Sequence, residues 1–308
     1  MHIFLTGASG LVGGAFAKAA ARRGHTVTAI TGTSNTPVPG AKASRRIDLT
    51  DEAAVTAAIL ETFPDLVVNC AAISEPARCD ADPIRSHQLN VALPATLARL
   101  AHHVSAKLIH LSSEQVFDGE AAPYATGSAT NPVNLYGRQK LASEQAVHTT
   151  ASEFAITLRA PLLTGNSPSG QRSLHERLLA DWAAGKTPAV FADEIRQPCT
   201  AENLAEAMLE CAERDDLRGI FHWAGAEPLS RAELARRIRA HFKLDENAAP
   251  LRVVRRADEP ALAANRQADL TLNLKPLAGL LKTPVESFDA QLDQLILPPP
   301  VRDWYFKQ

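Results

Sequence analysis

Short apolar segments alternate with longer alanine-rich or amphipathic segments through the first half of the chain. The apolar segments predict buried β-strands at residues 2–6, 25–30, 66–70, 107–111 and 154–158. The segments between them predict helices at residues 11–23, 50–63, 84–103 and 135–149. Because strands that alternate with helices are typical of βαβ units, the pattern predicts an α/β fold with a doubly wound parallel sheet.

The alternation weakens after Arg159. The pattern there predicts a loop at residues 163–170, a strand at 219–223 and helices at 174–184, 201–213 and 230–242. Three consecutive prolines at 298–300 predict a C-terminal tail without a helix. We therefore predict a sheet domain at residues 1–164, to which residues 198–224 return, and a smaller interleaved region at 165–197 and 225–308.

The charge of the chain is nearly balanced, with 32 Lys and Arg against 34 Asp and Glu in 308 residues. A net charge of −2 provides no basic field for nucleic acid or an anionic membrane, so we expect neither as a partner. The four cysteines show neither a CxxC pair nor a metal-ligand spacing, so we expect free thiols and no metal site. No export signal or membrane-spanning segment is visible, and we expect a cytoplasmic protein.

A glycine-rich turn connects the first predicted strand to the first predicted helix. Gly7, Gly10 and Gly13 give the spacing GxxGxxG. In a strand–turn–helix unit such glycines permit a tight turn, a close approach of the backbone to a diphosphate, and close packing of the helix on the strand. The free N–H groups of the helix N-terminus favour an anion. The turn therefore predicts a dinucleotide-binding site.

The end of the second predicted strand bears on the type of dinucleotide. NAD sites usually carry an acidic residue there, which binds the ribose hydroxyls. This chain has no carboxylate at that place, and its hydroxyl groups at Thr31, Thr33 and Ser34 are suited to a 2′-phosphate that Arg45 or Arg46 could approach. The sequence therefore favours NADP(H) over NAD(H).

Tyr136 is the one tyrosine among three that has a lysine, Lys140, one helical turn away. Both side chains leave the same face of the predicted helix. A nearby ammonium favours the phenolate, so we expect Lys140 to lower the pKa of Tyr136 and to prepare it for proton transfer. Ser112 and Ser113 follow the predicted strand at 107–111, where doubly wound sheets bind their ligands. The residues alone leave open which serine takes part.

These motifs, in this order, resemble the extended short-chain dehydrogenase/reductase family, and most closely its dTDP-4-dehydrorhamnose reductase-like group. The resemblance implies a Rossmann domain for the cofactor, a substrate-binding region in the interleaved part, and Ser113, Tyr136 and Lys140 as catalytic residues. It also implies that Asp48 and Leu49 lie beside the adenine and that Pro161 lies near the nicotinamide. The predicted cofactor contacts are Gly7, Ser9, Gly10, Leu11, Val12, Gly13, Thr31, Thr33, Ser34, Asp48, Leu49, Ala71, Ala72, Asn90, Tyr136, Lys140 and Pro161.

Three residues are predicted to contact the substrate. The resemblance implies that Arg196 binds the diphosphate of a nucleotide-linked sugar, which suits the bidentate geometry of arginine. Glu75 follows the strand end near the cofactor, and Glu114 follows Ser113. Glu114 and Gln115 differ from the Asp-Tyr pair of the reductases and from the Asp-Glu pair of the 4,6-dehydratases, which disfavours a dehydratase.

The sequence thus predicts an NAD(P)-dependent reductase that acts on a keto group, with hydride transfer from the nicotinamide and Tyr136 as the proton donor. Two alternatives stay open. One is a nucleotide-sugar epimerase with tightly bound NAD, and the other is a non-catalytic NADP-binding regulatory protein. The resemblance also implies a homodimer formed through the helices predicted at 84–103 and 135–149.

Overall fold

The computed structural model describes residues 1–32 and 34–308, without the side chain of Leu262. Its strands are β1 His2–Thr6, β2 Thr26–Thr31, β3 Ala43–Arg46, β4 Leu66–Asn69, β5 Lys107–Ser113, β6 Ala155–Ala160, β7 Leu163–Thr164, β8 Ala189–Phe191, β9 Ile195–Arg196, β10 Cys199–Thr200, β11 Gly219–His222, β12 Leu229–Ser230 and β13 Arg252–Val254. Its α-helices are α1 Leu11–Arg22, α2 Glu52–Thr62, α3 Pro76–Ala81, α4 Pro83–His87, α5 Leu93–His103, α6 Leu135–Ala151, α7 Leu174–Ala183, α8 Ala201–Ala212, α9 Arg231–His241, α10 Pro260–Ala263, α11 Phe288–Leu292 and α12 Arg302–Tyr305.

Within the described residues, seven parallel strands form the central sheet in the order β11-β6-β5-β4-β1-β2-β3. The chain starts in the middle and winds outwards first to one edge and then to the other. The predicted doubly wound sheet is therefore confirmed. The change of direction lies between β1 and β4, which is where open parallel sheets bind ligands at the carboxyl ends of their strands.

The two faces of the sheet are buried by different helices because side chains alternate along each strand. Ile3 and Leu5 of β1 belong to one buried cluster with α1 and α8. Phe4, between them, belongs to the opposite cluster with α2, α5 and α6. Both faces are therefore covered, which explains why the strands are almost continuously apolar.

A further buried cluster lies outside the sheet and is built mostly from α7, α9, α11 and the segment that leads into α12. Its side chains come from both parts of the predicted interleaved region, with Leu179 and Ile238 fully buried in it. The predicted division of the chain into a sheet domain and a substrate-binding region stays a proposal.

Three local predictions were wrong. The predicted helix at 84–103 is divided into α4, a π-helical turn at Gln88–Ala92, and α5. Strand β3 was not predicted because its residues are polar and mostly exposed. It is an edge strand, and its backbone pairs with β2 on one side. The C-terminal tail forms a 3-10 helix at Pro299–Val301, and α12 follows directly. The prolines lie at the start of the 3-10 helix, where proline is tolerated.

None of the described helices is both long enough and apolar enough to cross a membrane.

Candidate active site

The turn between β1 and α1 requires glycine at two positions. Gly7 has a φ of 65°, and a Cβ atom there would lie 2.6 Å from the backbone N of Ala71. A Cβ atom on Gly13 would lie 2.3 Å from the carbonyl oxygen of Gly7. Gly10 is the N-cap of α1 and offers no side chain to the first N–H groups of the helix. The turn with Ser9, and the first helical residues Leu11 and Val12, thus form a cradle whose N–H groups can bind a diphosphate.

The hydroxyl groups after β2 are less available than the sequence suggests. The Thr31 hydroxyl is buried and donates to the carbonyl oxygen of Ser34 at 2.7 Å, and the Ser34 hydroxyl accepts from the N–H of Thr36 at 3.2 Å. Thr33 lies outside the described residues. Arg46 is exposed at this end of β3, and its guanidinium donates to Asn35 at 3.1 Å. Among the described residues that follow β2, none at this place carries a carboxylate.

Arg45 has a different partner. Its guanidinium forms an exposed ion pair with Glu61 at 2.9 Å, so Arg46 is the freer of the two arginines. Asp48 is exposed, and hydrogen bonds from Thr50 hold the pKa of its carboxyl below the usual value. Leu49 is buried in the cluster with α2 and α5. Asp48 and Leu49 follow the carboxyl end of β3, just as the glycine turn follows the carboxyl end of β1.

The floor of the site is formed by the segment after β4. Ala71 donates its N–H to the side chain of Asn69 at 3.2 Å, and the half-buried Ala72 follows. Asn90 is fully buried, and its amide group binds the N–H and the carbonyl of Ile73 at 2.9 and 3.0 Å and the side chain of Gln139 at 2.8 Å. All of its polar groups are therefore used within the protein. The structure makes Asn90 a brace between this segment and α6, where the sequence predicted a cofactor contact.

Ser113, Tyr136 and Lys140 are brought together as predicted. Ser113 ends β5, while Tyr136 and Lys140 lie in the first turns of α6, and all three are less than a tenth exposed. The Ser113 side chain interacts with the Tyr136 hydroxyl and favours a lower pKa of the phenol. Ser112 has a different partner, since its hydroxyl donates to the carboxylate of Glu144 at 2.5 Å. Ser113 therefore stays the predicted catalytic serine.

Gly137 permits this arrangement, although the sequence analysis did not single it out. A Cβ atom on Gly137 would lie 2.1 Å from the carbonyl oxygen of Gln115. Any larger residue would therefore push the start of α6 away from the segment after Ser113. The N-cap Asn134, which accepts from the N–H of Gly137 at 2.8 Å, fixes the same turn. In the sequence, the glycine directly after Tyr136 was the feature that could have indicated this close contact.

The protonation of the group differs from the expectation. Burial raises the pKa of Tyr136 above its usual value, and the interaction with Ser113 opposes the rise. The Lys140 ammonium lies 6.0 Å from the centre of the Tyr136 ring and donates to the carbonyl of Leu111 at 2.8 Å. The predicted lowering of the tyrosine pKa by Lys140 is therefore not seen. Burial lowers the pKa of Lys140 itself to about 8.

Glu114 is buried next to the catalytic group. Burial raises the pKa of its carboxyl to about 8, although the nearby Arg196 opposes the rise. Its Oε1 lies 3.4 Å from Nε of Arg196. Its Oε2 is buried and has no hydrogen-bond partner among the described residues. A buried polar atom without a partner is costly, and it marks a place where a ligand can bind.

Arg196 is buried and its donors are occupied. Besides Glu114, its guanidinium pairs with Glu194 at 3.1 Å and donates to the backbone carbonyls of Ile195 and Gln267 at 2.6 and 3.2 Å. The predicted contact of Arg196 with the substrate diphosphate stays a prediction, and its guanidinium is occupied by protein groups in this arrangement. Two further arginines, Arg231 and Arg266, approach Glu194 at 3.8 and 3.1 Å.

Of the remaining predicted residues, Glu75 is exposed and is the N-cap of α3, and Pro161 is buried directly after β6. Both follow the carboxyl ends of their strands, where parallel sheets bind ligands. Cys79 is fully buried within hydrogen-bond distance of Asn90.

A chain of buried polar groups lies beneath the site and was not predicted. His110 binds the side chains of Asn69 at 3.2 Å and Ser143 at 2.9 Å, so it links β4 to α6 through β5. Arg159 and Glu144 form a buried ion pair at 2.7 Å between β6 and α6. Both sets fix α6, which carries Tyr136, to the sheet. Polar residues inside otherwise apolar strands were the available signal.

The doubly wound parallel sheet and the glycine-rich turn between β1 and α1 define an α/β protein with a Rossmann-like fold. Within this class, the family model described as RmlD substrate binding domain matches residues 1–298, and the chain belongs to that family.

Two relatives and one solved structure illustrate the similarity. The dTDP-4-dehydrorhamnose reductase of Mycolicibacterium smegmatis is 35% identical over 237 residues, which are 76% of this chain and 67% of that protein. The methionine adenosyltransferase 2 subunit beta of Xenopus laevis is 34% identical over 226 residues, which are 71% of this chain and 66% of that protein. This chain therefore matches about two thirds of the length of each.

The solved structure is the dTDP-4-dehydrorhamnose reductase of Bacillus anthracis in complex with NADP. It has a TM-score of 0.80 and 19% identity, with 95% of this chain and 96% of that chain covered. At this identity the likeness shows the shared fold.

Proposed function

We propose that this protein is an NADP(H)-dependent oxidoreductase that reduces a keto group of a nucleotide-linked sugar. The observation that carries the proposal is the buried group of Ser113, Tyr136 and Lys140 after the carboxyl end of β5, with the Lys140 ammonium 6.0 Å from the centre of the Tyr136 ring. The names of the reductase relatives support the substrate class. A bound nicotinamide dinucleotide supplies the hydride for such a reaction.

Tyr136 is proposed as the acid that protonates the reduced carbonyl oxygen. Because burial raises the pKa of Tyr136, its hydroxyl keeps its proton at neutral pH, as an acid in a reduction requires. The Ser113 hydroxyl binds the same carbonyl oxygen and positions it. The Lys140 ammonium would hold the ribose of the cofactor through a hydrogen bond.

Glu114 is proposed as a substrate contact. With a pKa of about 8, its carboxyl is mostly neutral at pH 7, so it can donate a hydrogen bond to a sugar oxygen. Arg196 holds Glu114 in place and acts as a positioning residue. Glu75, at the exposed mouth of the site, remains a proposed contact for the outer part of the substrate.

The preference for NADP(H) over NAD(H) is part of the proposal. The exposed Arg46 guanidinium and the hydroxyl of Ser34 are suited to a 2′-phosphate, and no carboxylate lies at the end of β2 to oppose it. The NADP in the solved Bacillus anthracis structure supports the same choice.

The test is the substitution Tyr136→Phe, with turnover measured as NADPH oxidation on keto-sugar nucleotides. Loss of the acid should lower kcat roughly 10²- to 10⁴-fold, while NADPH binding stays unchanged. Tyr305→Phe is the matched control because it also removes a phenol hydroxyl. That hydroxyl donates to the backbone carbonyl of Phe242, and both residues are far from the site residues in the sequence. Unchanged turnover in Tyr136→Phe would refute the mechanism.

A regulatory role is the second candidate. It is favoured by the similarity to a methionine adenosyltransferase subunit and by Glu114 and Gln115, which replace the reductase pair. Under this role the protein binds NADPH but oxidises none with any keto-sugar nucleotide. An epimerase is distinguished by NAD that stays bound through purification and by interconversion of sugars without added reductant.

Assembly and location are also proposed. We propose a homodimer through the helices α5 and α6, which light scattering during gel filtration tests by mass. The four cysteines are free in the described structure, which is consistent with the cytoplasmic location that we propose.

A further inference from the structure

The loop between β7 and α7 lies over the glycine cradle. The Cγ atom of Pro168 lies 3.5 Å from the position that a Cβ atom on Gly14 would take. Nη1 of Arg172 lies 3.8 Å from the corresponding position on Gly10, the N-cap of α1. A segment of the predicted substrate-binding region therefore brings a guanidinium to the N-terminus of α1.

The loop is held in this position by a buried carboxylate. Glu176 accepts hydrogen bonds from the N–H and the hydroxyl of Ser167, both at 2.7 Å, and from the N–H groups of Arg172 and Ser173 at 2.7 and 2.9 Å. Asn166 fixes the start of the loop, since its amide donates to the carbonyl of Gln294 at 2.9 Å. The backbone of Arg172 is therefore fixed by the fold beside the N-terminus of α1.

The guanidinium of Arg172 forms neither a hydrogen bond nor an ion pair with any residue that the structure describes. Other arginines beside α1 are paired, since Arg22 and Arg23 bind Glu206 at 2.6 and 2.7 Å. The N-terminus of a helix carries partial positive charge, which repels a cation. An anion between the two would attract both the exposed guanidinium and the N-terminus of the helix.

We propose that Arg172 binds the diphosphate of the dinucleotide from the side opposite to the N-terminus of α1, so that residues 165–173 clamp the cofactor. The proposal rests on the dinucleotide site of the proposed function. A guanidinium binds two phosphate oxygens at once, and the helix N–H groups bind the others. The substrate-binding region would then contribute directly to cofactor affinity.

The test compares the affinities of Arg172→Gln, Arg172→Lys and Arg218→Gln for NADPH, measured by calorimetry. Arg218 is an exposed arginine before β11, at the opposite edge of the sheet, and its substitution is the matched charge control. We expect a Kd about 10- to 100-fold higher for Arg172→Gln, a smaller increase for Arg172→Lys, and no change for Arg218→Gln.

Adenosine 2′-monophosphate, which lacks a diphosphate, identifies the group that Arg172 binds. Its Kd should be equal for wild type and Arg172→Gln, and thermal unfolding without ligand should be unchanged because Arg172 is exposed. An unchanged NADPH affinity in Arg172→Gln, or an equal loss for both ligands, would overturn the proposal. Wild-type protein that binds NADPH but reduces no keto sugar would contradict the proposed function alone, and wild-type protein that binds no NADPH would contradict both.

Discussion

Substituting Glu114 by glutamine should stabilise the protein at alkaline pH. The carboxyl of Glu114 ionises near 4.5 in the unfolded chain and near 8 in the folded protein, because it is buried. Between these values the folded state retains a proton that the unfolded state has lost. The free energy of unfolding therefore decreases as the pH rises from 4.5 to 8. Above pH 8 the difference is at most about 5 kcal/mol, at about 1.36 kcal/mol for each pKa unit.

Glutamine has nearly the same shape as glutamic acid and carries no charge at any pH. Urea unfolding of wild type and Glu114→Gln should therefore give equal free energies at pH 5, and a variant that is more stable by up to about 5 kcal/mol at pH 9. A difference that does not change with pH, or a variant that is less stable at pH 9, would refute the assignment of a neutral buried carboxyl.

Glu144→Gln is the matched control because Glu144 is equally buried but is bound by two nitrogens of Arg159, at 2.9 and 2.7 Å. Removing this charge leaves the buried guanidinium of Arg159 uncompensated, and should cost about 3–5 kcal/mol at neutral pH. The two substitutions, which are chemically identical, should thus change stability in opposite directions at pH 9.

Two other predictions concern the catalytic lysine and the glycine cradle. If the Lys140 ammonium holds the cofactor, kcat/KM should fall as the pH rises through about 8, where the ammonium loses its proton; a profile that stays flat to pH 9.5 would contradict this role. Gly13→Ala should lower the melting temperature and abolish NADPH binding, because its Cβ would lie 2.3 Å from the carbonyl oxygen of Gly7. Gly14→Ala should be tolerated, because its nearest contact would be an ordinary 3.5 Å, and equal melting temperatures for the two variants would contradict the steric argument.

Local signals in the sequence were sufficient for the sheet and for the catalytic group. The turn at Gly7–Gly13 follows its strand directly, and Tyr136 and Lys140 are one helical turn apart, so each motif is contained in a short segment. The apolar strands were predicted because both faces of the parallel sheet are buried. The sequence does not show directly that the separate motifs lie close together. The rule that ligands bind at the carboxyl ends of parallel strands predicts that they do.

The substrate side was predicted less well because its contacts join distant parts of the chain. Arg196 looked free in the sequence, but Glu114, which is 82 residues earlier, and Glu194 occupy its guanidinium in the fold. The side-chain amide of Asn90 is occupied in the same way by hydrogen bonds with Ile73 and Gln139. Whether a polar side chain is free for a ligand depends on its partners in three dimensions, and the sequence pattern contains no information about them.

The central claim is that Ser113, Tyr136 and Lys140 support hydride transfer from NADPH to a keto-sugar nucleotide. The most direct measurement uses NADPH deuterated at C4 of the nicotinamide and follows the label by mass spectrometry of the sugar product. The account predicts one deuterium on the new carbinol carbon with the wild-type protein, and loss of the labelled product with Tyr136→Phe. A wild-type protein that binds NADPH but transfers no deuterium to any keto-sugar nucleotide would contradict it.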